Sequence, residues 1–469
     1  YRKFESRSSI IQIRNQEPVT ILIKKSGNGP IIYPEKINMQ QIIPKQHVMA
    51  LASTALQAND KSVEAFLNLM KSKSVKVAEN AMANFQSPSL NLTLADKKDI
   101  SISTIGLRPE RQKGHQSQGR WPSYGWRKAN QWSGFLSFEE RPQLTNRRNE
   151  ILLNTNNKLT GDTFPKHGSF YWGDSQRIQR LSTLLSQRSV HTRDSFKEAQ
   201  IDVVSYAART LLPLVARDLL FTEQTGEAGS LAQRRTTAMA LLADWNGEMN
   251  EYRPEPLIYA AWMRALQHRL IRDEIGQLAY NFIHLEPLFI ERVFRDIEGA
   301  SAWCDIIQSA KKEKCTEIAS MALDDALVWL GEKYGKSIKA LRWGKAHQAL
   351  HIHPTLGYLP FFKHFVNISQ STGGGDHTIQ RGRSVGTDPN PFQNIHAAGY
   401  RGVYDFSDPD SSIFVISTGQ SGHPLSKHYD DLGQLWRRGE YWQMALRKEL
   451  ISSASLGTTR LLPAITQID

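Results

Sequence analysis

The rhythm of apolar residues changes twice along this chain of 469 residues, and that change limits the folds open to it. Between about Asp174 and Lys345, apolar side chains recur every three or four positions, the spacing that lines one side of a helix. Ile201, Val204, Ala208, Leu211 and Val215 form one such stripe, with Thr192 or Asp194 available to cap its start. Pro254 opens a second, carrying Ile258, Ala261, Trp262 and Ala265, and Leu323 to Leu330 supports a third. On either side the helical rhythm gives way to short β-branched runs and turn residues. Ile10 to Ile13 and Val19 to Ile23 predict a hairpin across Asn15-Gln16-Glu17-Pro18. His47 to Met70 predicts a helix, from the spacing of Val48, Leu51, Leu56, Phe66 and Leu69. Pro88 to Trp132 reads as loop, with Pro109, Pro122 and turn glycines. Glu150 to Asn154 reads as a short apolar strand running into Thr155-Asn156-Asn157. After Trp343 short strands return, Ser412 to Ser417 among them, with Thr372-Gly373-Gly374-Gly375-Asp376 as a turn. A β, then α, then β order predicts an α+β fold interrupted by a helical insertion. Three segments follow: 1–173, the first part of a β-rich core; 174–345, helical; and 346–469, a β-rich return to that core.

Composition fits this plan. Apolar residues at 40% and charged residues at 22% supply a buried interior, and at ~150 residues per domain the length implies more than one domain. No apolar run approaches the ~18 residues that suggest a membrane span, so no membrane partner is expected. The net charge of +12 could draw nucleic acid. The positive residues are scattered, however, and their densest stretch, Arg108 to Arg127, also holds glycines, prolines and tryptophans. The charge reads as solubility, without a nucleic-acid partner.

Three local patterns carry less chemistry than their spacing suggests. His347, His351 and His353 include a pair four apart, as zinc sites use, but no acidic ligand lies nearby in sequence. Gly419-Gln420-Ser421-Gly422 lacks the glycine two places after the serine that a nucleophile elbow requires, since His423 stands there. Gly373-Gly374-Gly375 is followed by no Lys-Ser/Thr, so it is not a phosphate loop. Neither metal nor cofactor is expected. Cys304 and Cys315 would lie ~16 Å apart on one continuous helix, beyond disulfide reach. The polar run Ser309 to Lys314 could instead form a turn between them, and two unrelated buried thiols are the other reading.

One order of residues is not demanded by amino-acid chemistry alone. Gly399-Tyr400-Arg401 with Asp405 precedes Gly419-Gln420-Ser421-Gly422-His423-Pro424 and Lys427-His428-Tyr429-Asp430-Asp431. This block resembles the C-terminal part of the penicillin acylase (penicillin amidase) family, amidohydrolases whose nucleophile is the first residue of a processed chain. Further pieces are similar in the same order along nearly the whole chain. They are Asn28-Gly29-Pro30, with Asn where the family usually has His; Trp126 and Trp132-Ser133-Gly134; and Ile151 to Lys158. Trp172-Gly173 with Arg177-Ile178, then Asp202, Ser205 and Leu212-Pro213, and finally Trp343-Gly344 with His347 complete the series.

The resemblance implies an N-terminal nucleophile hydrolase-like core of four αββα layers, incomplete here, with a helical insertion. It implies attack on an amide carbonyl by an N-terminal Ser, Thr or Cys whose own α-amine, with a pKa of roughly 7.7–8.0, serves as base. Tyr1 cannot be that residue, so the expected nucleophile lies outside this chain, on an upstream segment of the same precursor. By the same resemblance the Asn156 carboxamide is an oxyanion donor, with Asn154 as the alternative; taken alone, Asn-Asn reads as a turn. Arg177 corresponds to the arginine that organises the site and favours a neutral amine, although alone it reads as a helix-surface residue. Trp303-Cys304 and Lys314-Cys315 match a family pair, which implies a Cys304–Cys315 disulfide and a periplasmic or secreted protein. Some relatives bind calcium, but the matching place near His167-Gly168 offers no acid, so none is expected. The implied substrates are small N-acyl compounds such as β-lactam side-chain amides or N-acyl homoserine lactones. The other function the same fold admits is a non-catalytic binding protein.

Overall fold

A computed structural model of the protein describes residues 3–33, 39–145, 151–161, 169–173, 175–219 and 226–463. The chain divides into two compact units, Tyr1–Gly173 and Asp174–Asp469.

The first unit begins with the expected hairpin. Strands Glu5–Ile11 and Val19–Ser26 pair antiparallel with Ile11 opposite Val19, and the sheet continues through Gly29–Ile32 to Met49–Ala50. Gly29 takes φ 118°, and a Cβ there would stand 2.0 Å from the Leu51 carbonyl oxygen, so glycine is required. The helix expected over His47 to Met70 is confined to Ser62–Met70. Upstream of it the chain forms a strand at Met49–Ala50 and a single 3₁₀ turn at Thr54–Leu56. Asn59 then adopts φ 60°, and the Asp60 carboxylate accepts the Ser62 N–H at 2.8 Å. A left-handed residue followed by a carboxylate that holds the N–H two residues on redirects the chain, whatever the apolar spacing across it.

The loop expected from Pro88 to Trp132 is also corrected. Leu90–Ala95 and Ile100–Ile105 form an antiparallel hairpin, with Gln143–Thr145 as a third strand, and Pro109–Arg111 pairs with Trp132–Phe135. Asp96 shapes the hairpin turn by accepting the N–H groups of Lys98 and Asp99 at 2.7 and 2.9 Å. The period-two alternation of LNLTL and ISIST was the available signal, outweighed by the many glycines and prolines after it. No strand forms at residues 151–154, and Glu150 lies outside the described residues. Ala65, Met82, Phe85 and Ile105 make up a small core.

The second unit holds the larger core, built by helices Tyr206–Val215, Leu231–Ala243, Glu255–Ile275, Pro287–Phe294 and Cys315–Tyr334. Pro254 opens the long helix as expected, because a missing N–H costs nothing where no carbonyl precedes it. Trp262 on that helix is fully buried, and its indole N–H donates to the Ala319 carbonyl at 2.9 Å. The apolar stripe from Ile201 to Val215 does not form one helix. Arg193–Gln200 is capped by Thr192 and Tyr206–Val215 by Ser205, and between them Val204 bridges Glu248. Two sheets follow the helices. Gln348–His351 lies between Ile368–Ser371 and Asn394–Ala397, the last of which also pairs with Gly382–Ser384. Tyr400–Val403 pairs with Ile413–Ile416, as expected for the 412–417 run, and Trp442–Gln443 completes the second sheet. Mixed α+β architecture results. Cys304 and Cys315 are joined in a disulfide with Cα atoms 5.0 Å apart, the intervening turn making the approach that one helix could not. No described helix is long and apolar enough to cross a membrane.

Candidate functional site

Asn156 lies in the first unit at the centre of a tight turn. Its backbone takes φ 68°, in the left-handed region that asparagine tolerates better than most residues. Its N–H donates to the Asn154 side-chain oxygen at 3.1 Å, and the Thr155 N–H donates to the Asn157 side-chain oxygen at 3.0 Å. Thr155 is buried and Asn156 is exposed. The expected strand end is therefore an asparagine-pinned bend, which the Asn-Thr-Asn-Asn sequence favours because each carboxamide can hold a backbone N–H two residues away. Asn154, with its oxygen engaged, keeps a buried amide nitrogen that has no hydrogen-bond partner among the described residues. The bend thus holds two carboxamides separated by one residue, an exposed one at Asn156 and one at Asn154 whose nitrogen is buried, both neutral N–H donors at any working pH.

Arg177 lies in the second unit, half-buried in the first turn of helix Gln176–Ser186. One turn further on, Arg180 grips Asp202 with two hydrogen bonds, Nε at 2.9 Å and Nη2 at 2.5 Å. Both side chains are nearly buried, and the Asp202 carboxylate holds the Arg180 pKa above its ordinary value. Asp202 also accepts the Val204 N–H at 3.2 Å, so one carboxylate fixes both the helix carrying Arg177 and the break between the two following helices. Sequence reading named Asp202 but not Arg180. The available signal was a second arginine three positions after the first, on the same side of the helix.

The histidine triplet separates. His347 is fully buried, stacked 4.6 Å from Trp343, and its Nδ1–H donates to the Phe392 carbonyl at 2.8 Å. Burial, partly opposed by that hydrogen bond, pushes its pKa down to about 4, so it is a neutral core residue. His351 sits in a strand, and the His353 ring accepts the N–H groups of Thr355 and Leu356. No cluster of potential metal ligands occurs among the described residues. Ser421 lies in a turn: its N–H donates to the His428 carbonyl at 2.9 Å and its oxygen accepts the His423 N–H at 3.1 Å. Gly419 packs so closely that a Cβ would stand 2.1 Å from the His428 carbonyl oxygen. Gly374, at φ 78°, is similarly tight against the Gln380 carbonyl, so the triple glycine serves packing.

A cavity of about 380 Å³ runs along helix Glu255–Ile275 in the second unit, walled by Trp329, Trp343 and Phe392. Burial and the nearby Arg272, Arg264 and Arg269 hold the His268 imidazole in its wall below the ordinary pKa. Arg264, Asp325, Asp376 and Asp388 also line it, so the space combines an aromatic wall with charged groups.

Comparison with known proteins covers nearly the whole chain. The family profile described as penicillin amidase matches residues 1–453. The acyl-homoserine lactone acylase QuiP of Pseudomonas aeruginosa is 25% identical over 460 residues, which is 93% of this chain and 54% of that protein. The penicillin acylase 2 proenzyme of a Pseudomonas species is 22% identical, with 94% of this chain and 54% of the proenzyme covered. Among solved structures, a thermostable penicillin G acylase from Alcaligenes faecalis superposes with a TM-score of 0.67 at 17% identity, covering 99% of this chain and 82% of that one. The chain thus spans about half the length of the curated relatives it matches.

Proposed function

We propose, from the premise that this chain belongs to the penicillin amidase family, that it is part of an amidohydrolase that cleaves N-acyl amide bonds. The observation that carries the reading is the asparagine-pinned bend at residues 154–157, lying inside the stretch matched to that family. In the proposed reaction a hydroxyl or thiol at the start of a processed chain attacks the amide carbonyl, and the α-amine of the same residue takes its proton. The Asn156 carboxamide donates an N–H to the oxyanion of the tetrahedral intermediate. Collapse breaks the C–N bond, the α-amine returns the proton to the leaving amine, and water then releases the carboxylic acid. Arg177 is a positioning residue, its cationic charge favouring the neutral, basic form of that amine. The Arg180–Asp202 clamp supports this role by holding the helix on which Arg177 sits.

Similarity to both a homoserine lactone acylase and a penicillin acylase supports N-acyl homoserine lactones or β-lactam side-chain amides as substrates. The covered fraction of these relatives supports a partner segment of the same precursor that carries the nucleophile and completes a four-layer αββα core. The Cys304–Cys315 disulfide supports a periplasmic or secreted location. In the full-length protein, Asn156→Ala is expected to lower turnover 10²–10³-fold, roughly 2.7–4 kcal/mol of transition-state stabilisation, while precursor cleavage is at least partly retained. Hydrolysis of phenylacetyl, glutaryl and long-chain acyl amides measures it, and rates like those of the parent protein would overturn the assignment. A selective loss in Asn154→Ala would move the oxyanion role to that residue.

A further inference from the structure

The arginine of the Gly-Tyr-Arg run plays no part in the proposed reaction, yet its surroundings are unusual for a charged group. Arg401 is 6% exposed and has no carboxylate partner among the described residues. Its guanidinium lies 5.0 Å from the centre of the Trp436 ring and 6.0 Å from that of Tyr441. Nη2 donates to the Trp436 carbonyl, whereas Nε and Nη1 are buried with no hydrogen-bond partner among the described residues. Burial pulls its pKa down, with the Tyr441 phenol opposing, but a guanidinium remains protonated in proteins. A buried positive charge held, among the described residues, by two ring faces and one carbonyl is costly, and an anion is the partner that would offset the cost.

Space for that partner exists beside it. A cavity of about 350 Å³ is lined by Arg401, Arg381, Tyr400 and Trp436, with Ile379 and Ala398 as apolar wall. Arg381 is half-buried, and its Nε also lacks a hydrogen-bond partner among the described residues. Gln200, on the same wall, is already engaged: its amide donates to the Gly402 carbonyl at 2.8 Å and its oxygen accepts the Tyr441 hydroxyl at 2.6 Å. Arg234 marks the contrast. It too is buried without a carboxylate among the described residues and donates to the Leu327 carbonyl, but it lines neither cavity.

We propose that the cavity at Arg381 and Arg401 binds a carboxylate whose apolar body lies against Trp436, Ile379 and Ala398. Guanidinium groups match a carboxylate and a phosphate alike. The walls of Ile379, Ala398 and Trp436 favour a singly charged group with a short hydrocarbon tail, because enclosing a multiply charged, strongly hydrated phosphate costs more desolvation. The carboxylate has two possible sources, a free monocarboxylic acid or an Asp or Glu side chain from another part of a longer precursor. The inference stands on the unneutralised guanidinium and not on the proposed hydrolysis.

Thermal unfolding of the chain in sodium butyrate, against sodium chloride and sodium phosphate at equal ionic strength, tests the site. Butyrate is expected to raise the melting temperature above the chloride value, because a ligand of the folded state stabilises it. Arg401→Gln should abolish that difference, and Arg381→Gln should weaken the apparent affinity about tenfold, the loss of one charge-assisted hydrogen bond. In a longer precursor, a retained butyrate response identifies a free acid as the occupant. Indifference to butyrate, together with a lowered melting temperature in Arg401→Gln, identifies an internal side chain. The proposal is overturned if butyrate and chloride act alike on the chain, if phosphate matches butyrate, or if Arg401→Gln responds as the parent does. Should Arg401→Gln not fold, an Arg381→Gln chain with undiminished butyrate affinity overturns it equally.

Discussion

The two units solve the problem of burying apolar surface differently. In the second, Trp262, Leu266 and Leu270 on one helix and Leu323, Leu327 and Leu330 on another are all fully buried. In the first, the opening hairpin leaves Ile10 64% and Leu22 45% exposed on one face, and the buried cluster is small. The difference follows from element geometry. A helix carries its apolar residues on one stripe, so a few crossing helices can close a core among themselves. A sheet has two faces, and each apolar face needs its own cover. Exposed apolar residues gathered on a sheet mark a surface that interacts. The second unit completes its own interior, whereas the first displays apolar β-surface that fits the proposed precursor segment.

Substitutions can break or sharpen this contrast. The largest effect is expected from Trp262→Ala, at roughly 3–5 kcal/mol, because it opens a cavity in the second unit and removes the indole hydrogen bond to the Ala319 carbonyl. Urea unfolding followed by tryptophan fluorescence reads it, and a loss below about 1 kcal/mol would mean that this core is not what holds the unit.

Acid should act next, and on the same unit. His347 is held neutral, with its pKa pushed from 6.5 to about 4 by burial. As pH falls below 6.5, the unfolded chain takes up a proton that the folded chain refuses. The stability contribution is therefore complete above pH 6.5 and drains as the pH approaches 4, by about 3 kcal/mol in all. His347→Asn should flatten this part of the pH profile in urea melts between pH 7 and 4. An unchanged slope would assign the acid sensitivity elsewhere.

Removing the disulfide with Cys304→Ala and Cys315→Ala is expected to cost about 2–3 kcal/mol, given the short loop it closes. The melting temperature with and without reductant should differ in the parent and coincide in the double variant.

The smallest effect is the most discriminating. Ile10→Ser should change the stability of this chain by less than about 0.5 kcal/mol, because the side chain is exposed. In a longer precursor whose preceding segment covers the hairpin, the same change should cost more than about 1 kcal/mol. Equal costs in the two proteins would show that the hairpin surface stays open to solvent.

Features held by near neighbours in sequence were the legible ones. The hairpin around Asn15 to Pro18, the proline-opened helix at Glu255–Ile275 and the strand at Ile413–Ile416 all follow from spacing and turn chemistry within a few residues. Local chemistry also explains the failures. Asn59, left-handed, interrupts a helical stripe, and Ser205 caps a new helix where spacing alone suggested continuity. Asn156 was singled out by its company, but the left-handed bend that displays it depends on which backbone N–H each carboxamide captures. Arg180 escaped notice because its partner, Asp202, is 22 residues away and nothing in the intervening sequence pairs them.

The sequence by itself determined the α+β order, the principal helices and membership of a family, because periodicity, caps and ordered motifs are written in neighbouring residues. Tertiary structure alone decided the charge environments: Arg180 clamped by a carboxylate, His347 stripped of its proton, Arg401 enclosed by rings with no counter-ion among the described residues. The physical reason is that desolvation and ion pairing depend on what arrives from distant parts of the chain, and only folding brings those groups within reach.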